Sequence, residues 1–184
     1  MKIAILVGST RPGRKGSQVG EWVKAQVAGR DDVEFELLEL ADFGLELLSE
    51  PTVPGAANRN YENPQTQAWS KVVDEFDGFV WVTPEYNRGV PAAMKNAVDL
   101  IYPEWAHKGV GFVGYGGNGA TRAVEHWRGV LGSASMHPAR AQVALSTTDD
   151  WADGEFKPLA HRAGELRTTL DQLIALTTAT SSLR

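Results

Sequence analysis

The sequence contains no cysteine. That absence excludes disulfides, thiolate metal sites, iron–sulfur clusters and cysteine nucleophiles, and it leaves the redox compartment open. Long apolar runs are also missing. The amino terminus, MKIAILVGSTRPG, has only Ile3 to Val7 as an apolar stretch, too short for a signal-peptide core, and nothing later approaches a membrane span. No membrane partner is expected, and the expected location is cytoplasmic. Excess positive charge is absent as well: 18 Lys and Arg against 23 Asp and Glu give a net charge of −5, with no reason to expect nucleic acid.

Several catalytic patterns are lacking too. No G-x-S-x-G elbow is present, which argues against a serine hydrolase. Gly16 separates Lys15 from Ser17, so there is no Gly-Lys-[Ser/Thr] triplet and magnesium-nucleotide hydrolysis loses its main support. His107, His126, His137 and His161 fall in separate units without metal-ligand spacing, so no metal site is expected.

What is present is the composition of a globular protein: 42% hydrophobic residues, 22% charged and 6 Trp. A length of 184 residues suits one domain, expected over residues 1–184. Apolar runs alternate with stretches of helical spacing. Strands are predicted at 3–7, 33–40, 78–83, 109–115 and 141–146. Helices are predicted at 17–28, 65–76, 91–101, 120–131 and 159–178. Five β-then-α units imply parallel strands joined by right-handed crossovers, a doubly wound three-layer α/β/α sandwich. Residues 41–64, with Pro51, Pro54, Gly55 and Pro64, form the longest irregular stretch, a candidate lid or subunit contact or a plain linker. Trp69, Trp81, Trp105, Trp127 and Trp151 read as packing residues.

In such sheets ligands sit beyond the carboxyl ends of the strands, so three loops carry the functional expectations. The first, Gly8 to Ser17, would offer a phosphate the N–H groups of a helix amino end, the hydroxyls of Ser9, Thr10 and Ser17, and the Arg11 guanidinium. It ends the first strand in Gly8-Ser9, not in the acidic cluster of a response regulator. The second, Thr83-Pro-Glu-Tyr-Asn-Arg-Gly-Val-Pro91, is a rigid turn able to aim backbone groups at a flat ring, with Tyr86 as a wall. In the third, Val113-Gly-Tyr-Gly-Gly-Asn-Gly119, the glycines permit close approach of a cofactor. Its match to G-x-G-x-x-G is a false positive, because no acidic residue follows between Glu125 and Asp149 to hold a ribose.

Taken in order, GSTRPGRKGS, PEYNRGVPAAMKNAVDL and GYGG resemble the NADPH-dependent FMN reductase family, which includes quinone, azo-dye and chromate reductases. The resemblance runs from Lys2 through the last strand. It implies a flavodoxin-like fold with strand order 2-1-3-4-5 and non-covalent FMN. By this resemblance Ser9, Arg11 and Ser17 hold the FMN phosphate, with Gln18 and Val19 nearby. Pro84, Glu85, Tyr86 and Asn87 line the flavin ring and its pyrimidine edge, and Tyr115, Gly116 and Gly117 lie beside the ring. Pro12 to Gly16 lengthen the first loop relative to the family's shorter form, which leaves Arg14 or Lys15 open to a nicotinamide nucleotide phosphate.

The implied activity is hydride transfer from NADPH or NADH through FMN to a small acceptor such as a flavin, quinone, azo compound or metal oxyanion, by a ping-pong cycle without a catalytic side chain. The alternatives are a flavodoxin-type one-electron carrier and a non-redox nucleotide-binding module. The resemblance also implies a homodimer or a dimer of dimers, paired through the helix after PEYN and the next one.

Overall fold

Five segments rich in aliphatic and β-branched residues pair in parallel in a computed structural model that describes residues 1–184. They are β1 (Lys2–Val7), β2 (Glu34–Glu39), β3 (Gly78–Pro84), β4 (Gly109–Gly116) and β5 (His137–Ser146). Their order is β2-β1-β3-β4-β5, as the resemblance implies. Helices α1 (Gly16–Val27), α2 (Pro54–Ala57), α3 (Pro64–Asp74), α4 (Ala92–Asp99), α5 (Thr121–Ser133) and α6 (Arg162–Thr180) connect and cover the sheet.

The alternation of side chains along β1 divides the core. Ile3, Ile5 and Val7 pack with Val19, Val23 and Val27 of α1 and with Leu166, Leu170 and Leu173 of α6. Ala4 and Leu6 face the opposite layer, built from α3, α4 and α5. Every residue of β3 is buried, which is why its sequence is a continuous apolar run and not an alternating one. In the second layer Trp81 meets Trp127 edge to face with centroids 5.0 Å apart, and Trp105 at 5.9 Å. The indole N–H of Trp69 donates to the Ala97 carbonyl at 2.8 Å, and that of Trp127 to Thr83 Oγ1 at 3.0 Å. These bonds let bulky rings be buried without losing their one polar group.

Some elements depart from the expected bounds for physical reasons. β5 begins at His137, four residues early, through a run containing Pro138 and Arg140 that has little strand character. An edge position tolerates this proline, and the Arg128 guanidinium takes up the carbonyls of Ala139 and Arg140. α6 starts at Arg162, not Leu159, and the Leu159 N–H in the turn before it donates to Asp150 Oδ1 at 3.0 Å. A short hairpin, β6 (Trp151–Ala152) and β7 (Glu155–Phe156), stands between β5 and α6 where no strand was expected.

Residues 41–64 are pinned to the α3–α4 layer. Phe43 packs on Trp69 at 4.9 Å, and the Asn96 side chain donates to the Glu46 carbonyl and accepts from the Leu48 N–H.

Gly119, at φ +64°, opens the turn before α5, and a Cβ there would lie 2.6 Å from Ala144 Cβ. Gly119→Ala therefore combines a left-handed backbone with overpacking and is expected to cost about 2–4 kcal/mol. Denaturant unfolding checks this; an unchanged midpoint contradicts it.

Candidate functional site

β1 and β3 are neighbours whose connections leave to opposite faces, and a cleft of about 370 Å³ opens at the carboxyl ends of the strands there. Ser9, Arg11, Gly13, Arg14 and Lys15 line it from the β1–α1 loop, Pro84, Glu85 and Tyr86 from the end of β3, Tyr115 and Gly116 from β4, and Thr147 from beyond β5. A hollow between α1 and α6 also exists, but its Arg30 is already paired with Asp32 and Asp171.

Ser9 is buried, and its Oγ lies 2.9 Å from the Tyr86 hydroxyl, tying the first loop to the second. α1 can start this close to the sheet because Gly16 has no side chain. A Cβ there would stand 2.8 Å from the Tyr115 hydroxyl oxygen and 2.9 Å from Val7 Cγ1. The Tyr115 hydroxyl is itself buried and completes no hydrogen bond, although Ser9 and Tyr86 are its neighbours. Burial pushes its pKa above the ordinary tyrosine range, so it stays protonated and able to donate. A buried, unpartnered hydroxyl at a cleft wall is costly unless a ligand engages it.

Three cations stand on the first loop. Arg14 is neutralised by Glu39 at the end of β2, Nε to Oε2 2.9 Å. Arg11 and Lys15 have no carboxylate within ion-pair distance. The Lys15 ammonium instead sits 4.8 Å above the Trp151 ring.

The second loop is held from the far side. Ala120, just before α5, is left-handed and offers no side-chain cap. Glu85 supplies the missing acceptor, taking the N–H groups of Arg122 at 3.1 Å and Ala123 at 3.3 Å and the Arg122 guanidinium at 2.5 Å. Burial alone would raise the Glu85 pKa, but the Arg122 side chain and these N–H groups hold it below the ordinary carboxylate range. Glu85 thus stays ionised at the positive end of α5. Beyond it, Tyr86 and Gly89 exchange backbone hydrogen bonds around Asn87 and Arg88, both at positive φ, in a two-residue hairpin turn.

Thr147 had no sequence motif to announce it. Its N–H donates to the Gly116 carbonyl at 3.0 Å. The chain beyond it is organised by buried Asp150, which accepts from the N–H groups of Ser146 and Leu159 and from the Arg162 guanidinium at 3.1 and 3.2 Å.

Of the residues expected at the site, Ser9, Arg11, Pro84, Glu85, Tyr86, Tyr115 and Gly116 come together in the cleft. The Tyr115 hydroxyl is directed at Gly16, on the side of the first loop. Ser17 and Gln18 lie in the first turn of α1 outside the lining, and Gln18 Oε1 accepts from the Trp151 indole N–H at 2.9 Å. Val19 is fully buried in the core beneath α1. Asn87 and Gly117 are exposed next to the cleft. Arg14, Lys15 and Thr147 are lining residues the sequence did not assign to the flavin. The position rule for strand carboxyl ends would have found Thr147.

A three-layer sandwich of this strand order, with its cleft at the switch point, defines the flavodoxin-like class. Residues 1–150 match the NADPH-dependent FMN reductase family, and the chain belongs to it. The chain is 38% identical over 126 residues to NAD(P)H-dependent FMN reductase ntnL of Nectria sp, a stretch that is 66% of this chain and 63% of that relative. It is 34% identical over 149 residues to NAD(P)H-dependent FMN reductase C4B3.06c of Schizosaccharomyces pombe, covering 81% of this chain and 74% of that one. Among solved structures, the flavoenzyme NAD(P)H:(acceptor) oxidoreductase FerB of Paracoccus denitrificans superposes with a TM-score of 0.73 at 21% identity, over 97% of this chain and 98% of that chain.

Asp150 titrates with a definite sign. Burial raises its pKa, and the Arg162 side chain with the Leu159 and Ser146 N–H groups lowers it further than burial raises it, so the folded value is depressed. Its stabilisation is therefore present above the unfolded value of about 4 and lost as pH falls through the folded one. Asp150→Asn leaves partly buried Arg162 with Glu165 alone and removes the carboxylate that takes the Ser146 and Leu159 N–H groups, and it is expected to cost about 3 kcal/mol at neutral pH. In unfolding titrations the gap between variant and wild type should narrow below about pH 4; a gap independent of pH contradicts the assignment.

Proposed function

We propose that this chain is a cytoplasmic NAD(P)H-dependent oxidoreductase that holds FMN in the β1–β3–β4 cleft and reduces a small acceptor such as a flavin, quinone, azo compound or metal oxyanion. The observation that carries this reading is the pairing of family membership with a cleft whose free groups suit FMN. Two cations lack partners and a buried tyrosine hydroxyl lacks an acceptor, at the loop where a phosphate dianion would supply both needs.

On this reading Ser9, Arg11 and Tyr115 hold the phosphate, with the backbone of the Gly13–Lys15 turn around it. Pro84, Glu85 and Tyr86 on one side and Gly116 on the other line the ring. When bound, FMN supplies the redox chemistry, taking hydride from NAD(P)H and passing two electrons to the acceptor in a ping-pong cycle. The protein's part is placement. Ser9 and Tyr86 lock the first two loops together, and Glu85 fixes the ring-side turn to α5. Tyr86 is 40% exposed, which keeps the ring side of the cleft open to a second substrate. No side chain is asked to move a proton, and the titratable groups nearest the ring, Glu85 and Tyr86, are both engaged in hydrogen bonds.

Quaternary structure belongs to the same reading. Val53 is 69% exposed at a largely apolar hollow of about 480 Å³ that it forms with Pro54, Val98, Ile101, Tyr102 and Val130. Exposed apolar surface across α4 and α5 supports a homodimer or homotetramer paired there. Val53→Glu is then expected to shift the sedimenting species toward the monomer, and a monomeric wild type contradicts the pairing.

The activity is tested by adding NADPH anaerobically to the FMN-loaded protein while following flavin absorbance near its visible maximum. The expected result is complete bleaching in one two-electron step and recovery on adding a quinone. FMN that stays oxidised in the presence of both NADPH and NADH would overturn the reductase reading in favour of an electron carrier.

A further inference from the structure

The hairpin β6–β7 lies beyond the residues that match the family, which end at 150. It nevertheless packs against two residues that line the cleft, Tyr115 and Lys15. Trp151 is 7% exposed, with its ring 6.2 Å from that of Tyr115 and 4.6 Å from that of Phe156, which in turn meets Trp22 of α1 edge to face. Its indole N–H donates to Gln18 Oε1 at 2.9 Å, and the Gln18 amide reaches back to the Gly154 carbonyl. The hairpin is thereby clamped to the first turn of α1, and its indole face is presented to Lys15, whose ammonium lies 4.8 Å from the ring centroid.

This arrangement bears on charge. Of the three cations lining the cleft from the first loop, Arg14 is neutralised by Glu39, so one unpaired guanidinium, Arg11, and one unpaired ammonium, Lys15, remain. A phosphate monoester carries a charge of about −1.5 to −2 at neutral pH. Arg11 alone would leave about a third to a half of that uncompensated, and Lys15 on its aromatic support supplies the second charge. A free lysine side chain loses considerable rotamer entropy when it is fixed on a ligand. Resting on the indole face, Lys15 has lost part of that freedom beforehand.

We propose that Lys15 is the second phosphate-binding cation of the cleft and that Trp151 is its positioning residue, so that the hairpin outside the family-matched region makes the site selective for a 5′-phosphorylated flavin over the unphosphorylated one. The proposal rests on the flavin reading of the cleft and adds to it the origin of phosphate selectivity.

Equilibrium fluorescence titrations of the full chain with FMN and with riboflavin test it, using wild type, Lys15→Met, Trp151→Leu and the double variant, each first checked for an unchanged folded spectrum. The loss of one charge-assisted contact corresponds to roughly 10- to 100-fold in affinity. Lys15→Met is expected to weaken FMN by about that factor and leave riboflavin unchanged. Trp151→Leu should weaken FMN more than riboflavin, and the double variant should be no worse than Lys15→Met, because the indole acts through the ammonium. Should Trp151→Leu fail to fold, Gln18→Ala, which frees the hairpin from α1, takes its place with the same selective loss expected.

Equal weakening of both flavins by Lys15→Met, or no effect on FMN, overturns the proposal while leaving the cleft's flavin reading standing. Additive losses in the double variant remove Trp151 from the positioning role. A wild type that binds neither flavin removes the flavin reading itself, and this inference with it.

Discussion

The connection after β1 must cross to one face of the sheet and the connection after β3 to the other, and every functional feature of the chain follows from that constraint. Neighbouring parallel strands whose crossovers diverge leave their carboxyl ends uncovered between them. α1 buries its valines against Ile3, Ile5 and Val7, whereas α4 buries Met94 and Ala97 in the tryptophan-rich layer on the other side. The gap between the two helix starts is the cleft. Its walls are the turns that must reverse direction there, so they are rich in glycine, proline and serine for backbone reasons first and for ligand binding second.

Electrostatics gives that gap its sign and its division of labour. Arg14 is matched by Glu39 and Arg122 by Glu85, so two of the cations near the cleft serve structure. Glu85 in particular caps a helix whose preceding residue, left-handed Ala120, has no side chain able to do so. What remains for a ligand is Arg11, Lys15 and the Tyr115 hydroxyl, all on the side of the β1–α1 loop. The side of the cleft at the ends of β3 and β4 is by contrast made of Pro84, Tyr86 and Gly116, with Glu85 paired to Arg122 and no free charge. A site that is cationic at one end and neutral at the other suits a phosphorylated heteroaromatic molecule.

The parallel sheet was legible because β1, β3 and β4 are buried on both faces and read as unbroken apolar runs, whereas its strand order came from the family resemblance. The three loops were legible as turn chemistry after such strands. Less visible were the features that depend on distant partners. β5 extends to His137 only because a polar run finds an edge position and Arg128 covers its carbonyls. The hairpin at Trp151 is two residues per strand, too short for any periodicity, and is stabilised by Gln18 and Phe156. Gln18 was expected near a phosphate from its position at the helix start. The structure gives it to Trp151, a partner 133 residues away that no local pattern reveals. Glu85 was assigned to the ring side by resemblance, but its capping of α5 across 37 residues is tertiary information.

The central claim, that the β1–β3–β4 cleft is the flavin site, is tested most directly by determining the crystal structure of the FMN complex. The account predicts one FMN per chain with its phosphate among Ser9, Arg11, Lys15 and the Tyr115 hydroxyl and its ring between Pro84–Tyr86 and Gly116. FMN seated in the apolar hollow between α4 and α5, or reversed so that its phosphate meets the ring-side turn, would contradict it.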